Sequence, residues 1–445
     1  MSTSVKNVAT SSRYNWLVYF VVYSAIILFQ IFFLDYQSNL LGAPRPGWDV
    51  HAYCVGVKEH ADGLNPYYVR NLEDTSLVYP YLPVTLDLLR PLCSSGFLTL
   101  YFREIYLILA AFSVFLLSAF SFSGHKLRDA CLKALYIFGG FVGFGWTFLS
   151  GNLVILSGMM IALSLYFLYR GFSLQQRNDR DSASRVFYSL GAVTFGLAMS
   201  IKIIFFPVLC SLYLLPLIRS KKTSLIIAGG ASFFTPILIS LLFYRELFFS
   251  WLNAVSGQIP QQISPATERS SSLFFIGKAI AGNFGIVHSM LLDAFLYAVA
   301  ISAILGPLAF SLVRIIKNER VDDSRSFLKE LDGFLIVNPG FAMRVATLTM
   351  VALYLCAPRL KEYAFYELAI YAAMLIVDLP SKTLRIVLAV AIVFPIVAKA
   401  PQMPQFIDHF GQTIAAVFCY AVFLLDLYPA FLRFKKGQFI NQSRE

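Results

Sequence analysis

Long apolar segments recur along this 445-residue chain, and they constrain its fold more than any other feature. A helix needs about 20 apolar residues to cross the hydrocarbon core of a bilayer. Runs of roughly that length predict twelve membrane spans, and the chain is therefore predicted to be an all-α polytopic membrane protein. The predicted spans are residues 14–35, 99–123, 133–150, 153–169, 186–201, 203–218, 223–243, 286–313, 341–356, 364–379, 384–399 and 411–432.

Composition supports the same class. Hydrophobic residues make up 58% of the chain and charged residues only 14%, which is too apolar for a soluble domain of this length. The first run, residues 14–35, is longer than the apolar core of a cleaved signal peptide. It ends at Leu34-Asp35-Tyr36 without a small-x-small cleavage site, so we expect it to remain as an anchor.

The positions of lysine and arginine predict the orientation. If the N-terminus with Lys6 and Arg13 is cytoplasmic, most of the 36 basic residues fall in cytoplasmic segments. We therefore expect both termini in the cytoplasm and the protein in a bacterial inner (plasma) membrane. The net charge of +11 then reflects topology and contact with anionic membrane lipids. No basic face outside this pattern indicates nucleic-acid binding.

The predicted topology gives a single integral-membrane domain, residues 1–445, with three long connections. These are a first external loop (36–98), a second external loop (244–285) and a cytoplasmic linker (314–340). Within the first loop, the proline-containing segment 78–91 holds Asp87 and Arg90, which suits a re-entrant or surface helix better than a span. We expect the first loop to carry amphipathic and re-entrant helices.

The six cysteines show no metal-binding spacing. Only Cys54 and Cys93 share a loop. A disulfide between them would require an oxidising compartment, and the sequence favours two free thiols.

Unusual polar residues gather on the predicted external face. Asp49, Asn152 and Lys202 lie there, together with Arg359 and Lys361. The predicted spans 186–201 and 341–356, which lead to Lys202 and to Arg359, have only 16 residues each, about 24 Å of helix. Short spans recess the tips of their hairpins into the membrane, and we expect a cavity that opens to both lipid and water.

Each of these residues also has a structural interpretation. Asp49 is well placed as the N-cap of a helix, although a capping carboxylate can still present its second oxygen to a substrate. Lys202 can extend its ammonium group to the interface or bind an anion. Asn152 follows Gly151 in a tight turn and can also bind a polar ligand. Arg359 and Lys361 suit lipid headgroups equally well.

Seven short motifs follow one another along the chain: Gly47–Tyr53, Asp62–Tyr67, Val78–Pro83, Arg90–Leu92, Ser150–Asn152, Gly196–Lys202 and Pro358–Tyr363. Together they resemble the motifs of polyprenyl-phosphate-dependent mannosyltransferases of glycosyltransferase family 87, in the GT-C class. The resemblance spans about residues 14–380. Three positions depart from the family pattern: Tyr81 replaces a proline, Ala357 replaces a serine, and Lys361-Glu362 stands where relatives can have histidine.

The resemblance implies transfer of a sugar, usually mannose, from a polyprenyl-phosphate donor to a glycan or glycolipid acceptor at the external face. Such a reaction needs a base for the acceptor hydroxyl and cations for the departing phosphate. Asp49 is the predicted base. Lys202, with Arg359 or Lys361, is predicted to bind the phosphate. One base opposite one leaving group predicts inversion, and the external side has no DxD motif, so we expect no metal or other cofactor.

Further substrate-binding residues are predicted on the same face. The aromatic members can stack on a pyranose ring, although aromatics at a membrane interface are commonly anchors. Polar residues of the second external loop are expected to suit acceptor recognition: Gln258, Gln261, Gln262, Arg269, Ser270, Ser271 and Ser272. The remaining predicted substrate-binding residues are Asn152, His51, Tyr53, Tyr67, Tyr79 and Tyr363.

Two other functions stay open. Asp293, an acid within the eighth predicted span, suits a proton path in a secondary transporter. Transporters, however, commonly have paired halves, and the long first loop has no counterpart after the seventh span. A lipid-linked glycan flippase or polymerase is the third class.

Overall fold

A computed structural model describes most of the chain. The described residues are 46–72, 78–119, 126–176, 181–258, 270–285, 289–319, 327–379, 381–398 and 403–433, with scattered positions between 21 and 32. The first predicted span, 14–35, therefore lies largely outside the described residues.

The described residues form helices and turns without a β-strand, which confirms the predicted all-α class. The short helices α1 and α2 precede the long membrane-type helices. The helices are α1 Trp48–Ala61, α2 Val84–Ser94, α3 Phe97–Ser118, α4 Lys126–Gly139, α5 Gly143–Ser150, α6 Val154–Gln176, α7 Asp181–Ser200, α8 Arg219–Phe243, α9 Arg245–Val255, α10 Leu273–Asn283, α11 Met290–Glu319, α12 Phe327–Val337, α13 Pro339–Leu355, α14 Phe365–Ile376, α15 Lys382–Ala391, α16 Phe394–Ala398 and α17 Gln405–Arg433. Short 3₁₀ helices cover Val69–Asn71, Gly140–Val142, Ile203–Leu214 and Glu362–Ala364.

Six helical segments among the described residues are long and apolar enough to cross a membrane, and α12 with α13 makes a seventh if that pair, bent by 114°, is one span. A polytopic membrane protein is thereby supported, while the count of twelve stays a prediction. The six segments are Phe97–Ser118, Leu127–Ser150, Val154–Gln176, Arg219–Phe243, Met290–Arg314 and Gln405–Leu427.

The predicted span 203–218 has a different structure. Its first part, Ile203–Leu214, is a 3₁₀ helix, which rises about 2.0 Å per residue and has tighter turns than an α-helix. Pro207 lies inside it and has no backbone N–H to donate. Strong hydrophobicity indicated burial here but did not specify the helix type.

The core of the bundle surrounds α14. All twelve residues of this helix are buried, and it packs against α4, α6 and α13. By contrast, α8 and α11 expose large apolar side chains such as Leu242, Phe243 and Phe310. Apolar helix surfaces of this kind are expected where a membrane protein meets lipid rather than water.

The first loop folds into a compact unit joined by a disulfide. Cys54 in α1 and Cys93 in α2 are bonded, with their Cα atoms 5.0 Å apart. The expectation of two free thiols was therefore wrong, because the sequence did not reveal that the two helices pack side by side. Helix α2 has 11 residues, about 16 Å of helix, which is too short to cross a bilayer by itself.

Asp293 lies at the start of a span and not in its middle. It occupies the first turn of α11, and its Oδ2 lies 3.3 Å from Nζ of Lys278 in α10. Asp293 does lie within a candidate span, Met290–Arg314, but near the start of that span and with Lys278 as a partner. Its position gives no support to a proton path through the middle of the membrane.

One broken span positions the end of the bundle that carries the polar residues. Between α4 and α5, Phe141 and Val142 have positive φ angles of 53° and 62°, a conformation that is rare for bulky residues. Gln412 in α17 donates a 2.7 Å hydrogen bond to the Phe141 carbonyl. At Gly143, an added Cβ would lie 2.2 Å from the backbone nitrogen of Tyr366. The break therefore brings α5 directly against α14.

Candidate active site

Asp49 lies at the start of α1, behind a left-handed glycine. Gly47 has a φ of 84° and occupies the N-cap position, and no side chain caps the helix. Asp49 follows in the first turn and is only 8% exposed. The N-cap interpretation of Asp49 was therefore wrong by two residues, although a carboxylate in the first turn still benefits from the helix dipole.

Asn152 binds the Asp49 carboxylate directly. Its Nδ2 donates to Asp49 Oδ2 at 2.7 Å and to the Tyr53 hydroxyl at 3.0 Å, which uses both amide hydrogens. Its Oδ1 accepts the backbone N–H of Val154 at 3.1 Å and thereby supports the first turn of α6. The amide is held at both ends, so it keeps the orientation of the carboxylate fixed.

The turn that presents Asn152 requires glycine. Gly151 ends α5 with a φ of 73°, and a Cβ added there would lie 2.6 Å from Cγ2 of Val50. Its carbonyl accepts a 2.7 Å hydrogen bond from the Tyr106 hydroxyl. Beside it, the Gly47 N–H donates to the Leu149 carbonyl at 2.8 Å, which ties the start of α1 to the end of α5.

Four tyrosines from the first loop form one wall beside Asp49. The Tyr53 and Tyr81 hydroxyls lie 3.1 Å apart, and the Tyr81 hydroxyl donates weakly to Asn152 Oδ1 at 3.4 Å. Tyr67 donates to the Tyr81 carbonyl at 2.7 Å, while Tyr79 bonds Thr85 at 2.8 Å. The rings meet edge to face, a stabilising geometry for aromatic pairs.

Lys202 faces this wall from the opposite direction. It stands between α7 and the Ile203–Leu214 helix in an extended conformation, so the chain changes direction at the lysine. Its Nζ lies 4.3 Å from the centre of the Tyr363 ring, a cation–π contact. The ammonium group therefore points towards the segment that carries Arg359 and Lys361.

The three serines of the second loop support that segment. Leu360 accepts the Ser271 N–H at 2.7 Å, and Pro358 accepts the Ser272 hydroxyl at 2.7 Å. The Leu360 N–H in turn donates to Ser270 Oγ at 3.1 Å. All three serines are buried, and their hydrogen bonds hold the backbone on both sides of Arg359. The expected role of these serines in acceptor recognition stays a prediction. Gln261, Gln262 and Arg269 of the same loop lie outside the described residues.

These elements enclose a cavity of about 410 Å³. Eight of the predicted site residues line it, drawn from parts of the chain up to 314 positions apart. They are Asp49, Tyr53, Tyr79, Asn152, Lys202, Arg359, Lys361 and Tyr363. Two predicted substrate-binding residues do not line it: His51 is exposed on the other side of α1, and Tyr67 is buried behind Tyr81.

Sequence reasoning missed much of the apolar part of the lining. Tyr81 was noted only as a departure from the family pattern, although it reaches Asn152. Trp251 donates its indole N–H to the Pro80 carbonyl at 3.3 Å, which holds α9 against the first loop. Apolar side chains in a membrane protein give no local signal that separates a ligand wall from the core. The apolar lining comprises Ala52, Val78, Pro80, Leu82, Ile201, Ile203, Ile204, Phe205, Trp251, Leu252, Ala254, Val255 and Ala364.

Burial sets the electrostatics of the cavity. It raises the pKa of the Asp49 carboxyl above its usual range, while the hydrogen bond from Asn152 and the positive charge of Lys361 oppose that rise. Burial also lowers the pKa of Lys202 to about 8, against the attraction of nearby acids. The cavity thus pairs one anchored carboxylate with several cations, and the arrangement can accept a proton at one side and bind an anion at the other.

No cluster of three or more metal-ligating side chains occurs in the described part of the chain. Comparison with known families gave one match: the profile of glycosyltransferase family 87 aligns with residues 79–339, more than half of the chain. Asn152 and Lys202 lie within the matched range, whereas Asp49 and the segment from Arg359 to Tyr363 lie outside it. No curated protein and no solved structure matched the chain.

Proposed function

The chain belongs to glycosyltransferase family 87, and we propose that it transfers a hexose from a polyprenyl-phosphate donor to a glycan or glycolipid acceptor. Mannose is the hexose that the family resemblance implies. The observation that carries this proposal is the cavity itself. Asp49 stands at one wall, bonded to Asn152, while Lys202, Arg359 and Lys361 line the same cavity.

The apolar lining supports a lipid-linked donor. Ile203, Ile204 and Phe205 continue directly from Lys202, so an apolar surface adjoins a cation. A polyprenyl phosphate has the matching chemistry, because its phosphate joins a charged group to a long hydrocarbon. The cations would bind the phosphate oxygens, and the apolar residues would contact the first isoprene units.

Asp49 is proposed as the general base. It would take the proton of the acceptor hydroxyl while the acceptor oxygen attacks the anomeric carbon. The bond between that carbon and the phosphate oxygen would break, and Lys202 would stabilise the negative charge on the departing polyprenyl phosphate. A single displacement inverts the anomeric configuration. In the proposed orientation, the cavity opens on the external, periplasmic face of a bacterial inner membrane, with both termini in the cytoplasm.

The test is transfer by the purified, detergent-solubilised protein from a panel of polyprenyl-phosphate sugars to glycan and glycolipid acceptors. We expect transfer by the wild-type protein and its loss in Asp49→Asn. Asp62→Asn is the matched control, because Asp62 follows the same helix but is exposed. Wild-type rates in Asp49→Asn would remove Asp49 as the base, and transfer only from nucleotide sugars would overturn the donor class.

A further inference from the structure

A second carboxylate lies buried behind the cavity. Glu367 is 1% exposed and sits in α14, four residues after Tyr363. Its Oε1 accepts the hydroxyl of Ser157 and its Oε2 accepts the hydroxyl of Tyr354. A carboxyl group in an apolar helix core is costly unless it has such partners.

The partners of Glu367 connect it to three parts of the cavity. Ser157 lies in the first turns of α6, whose start is bonded to Asn152. The Tyr354 ring stacks on Phe205, with ring centres 4.0 Å apart and an angle of 6° between the planes. The Phe205 N–H donates to the Lys202 carbonyl at 3.0 Å. These contacts connect Glu367 to the segment that holds Lys202.

Charge gives the same connection through space. Among the acids that act on Lys202, Glu367 attracts it most strongly and Asp49 comes second, while Lys361 and Arg359 repel it. In return, Lys202 is the cation that acts on Glu367. A buried lysine keeps its proton only where nearby negative charge offsets the loss of water. The hydroxyl groups of Ser157 and Tyr354 both donate to Glu367, and such donors favour the charged form of a carboxyl group. Glu367 itself does not line the cavity.

We propose that Glu367 is a positioning residue for sugar transfer, which holds the segment that carries Lys202 in place and sets a negative charge behind the lysine that contacts the donor phosphate. This inference rests on the proposed function. Glu367 does not touch the substrate in this account, and its effect passes entirely through Lys202. Removal of the Glu367 charge is therefore expected to weaken donor use most at pH values at which Lys202 is close to losing its proton.

The test uses Glu367→Gln, which keeps the shape of the side chain and an oxygen that accepts hydrogen bonds, but removes the charge. We expect the alkaline limb of the pH profile for donor kcat/KM to move to lower pH by about one unit, because one pKa unit corresponds to a tenfold change in protonation. The donor KM is expected to rise about tenfold above pH 8 and far less at pH 6. The acceptor KM should not change.

Two further variants keep the test decisive. Glu246→Gln is the matched control, since Glu246 is exposed on α9 and its removal should leave the profile unchanged. If Glu367→Gln does not fold, Ser157→Ala removes one hydrogen-bond donor from the carboxylate and should move the donor KM in the same direction by a smaller factor. The readout is again the donor KM across pH.

The positioning role would be overturned if Glu367→Gln left both the donor KM and the alkaline limb unchanged. If Glu367→Gln does not fold, the same result in Ser157→Ala would overturn it. That outcome leaves the proposed function intact as long as the wild-type protein transfers sugar and Asp49→Asn does not. Absence of transfer from every polyprenyl-phosphate donor by the wild-type protein would instead overturn the proposed function. The two failures are therefore distinguishable.

Discussion

The Asn152 amide donates a 2.7 Å hydrogen bond to the Asp49 carboxylate across 103 positions of sequence. Neither residue is exceptional by itself, because aspartate near a helix start and asparagine after glycine are both common structural features. Their contact joins the start of α1 to the start of α6. It gives the cavity a carboxylate whose orientation is fixed before any substrate binds.

Replacement of Asn152 tests this contact. Asn152→Ala removes a hydrogen bond to a charged group, which contributes about 1.5–3 kcal/mol, so kcat/KM should fall about tenfold or more. The pKa of Asp49 is already raised by burial and is held down by Asn152, so the loss raises it further. Because the base must be deprotonated, the acid limb of the pH profile should move to higher pH. Asn253→Ala, at an exposed position on α9, is the control; an unmoved acid limb would contradict the role of Asn152.

Lys202 is expected to set the alkaline limb. Its pKa is lowered to about 8 by burial, so phosphate binding should be complete below that pH and lost as pH rises through it. Lys202→Met should raise the donor KM about tenfold or more at pH 7, since charged hydrogen bonds contribute about 1.5–3 kcal/mol. Lys58→Met, at an exposed position of α1, should leave the donor KM unchanged. A donor KM that is equal in Lys202→Met and the wild type would exclude Lys202 from the phosphate site.

Alanine substitutions at Gly151 and Gly63 test whether the turn before Asn152 requires glycine for steric reasons. Both have positive φ angles, 73° and 82°, but a Cβ at Gly151 would meet Val50 whereas one at Gly63 would meet nothing within 4 Å. Gly63→Ala should cost about 1 kcal/mol of stability from its conformation alone. Gly151→Ala should cost more and should also reduce transfer, because it separates Asn152 from Asp49. Equal shifts in thermal unfolding temperature would show that the contact with Val50 is unimportant.

The disulfide between Cys54 and Cys93 predicts a definite thiol count. Alkylation of the denatured, unreduced protein should modify four cysteines (Cys131, Cys210, Cys356 and Cys419), and alkylation after reduction should modify six. Cys54→Ser with Cys93→Ser should lower the free energy of unfolding by about 2–4 kcal/mol. Cys210→Ser is the control, because Cys210 is free and exposed. Mass spectrometry that finds six free thiols before reduction would contradict the bond.

The sequence could also have pointed to Glu367, by the same signal that drew attention to Asp293. Both are single acids within apolar segments. Both lie in the first turn of a helix, but Asp293 lies beside Lys278 in α10, whereas Glu367 is fully buried in the core of the bundle. The pattern indicates that an acid is unusual but not how deep it lies, since depth depends on which helices surround it.

Local sequence patterns were sufficient to predict the fold class and the types of residue at the candidate site. Apolar runs specify helices in a membrane because each backbone N–H and C=O must find a partner within its own segment, and that rule needs no knowledge of distant residues. Left-handed glycines such as Gly47 and Gly151 are likewise local requirements. The residues around Asp49 in the sequence could not distinguish a helix cap from a general base. The proposal of Asp49 as a base rests on its neighbours Asn152 and Lys202, and only the packing of the helices brings these residues into one cavity. Contacts between such distant segments arise from shape and burial, so they leave no periodic signal in the sequence.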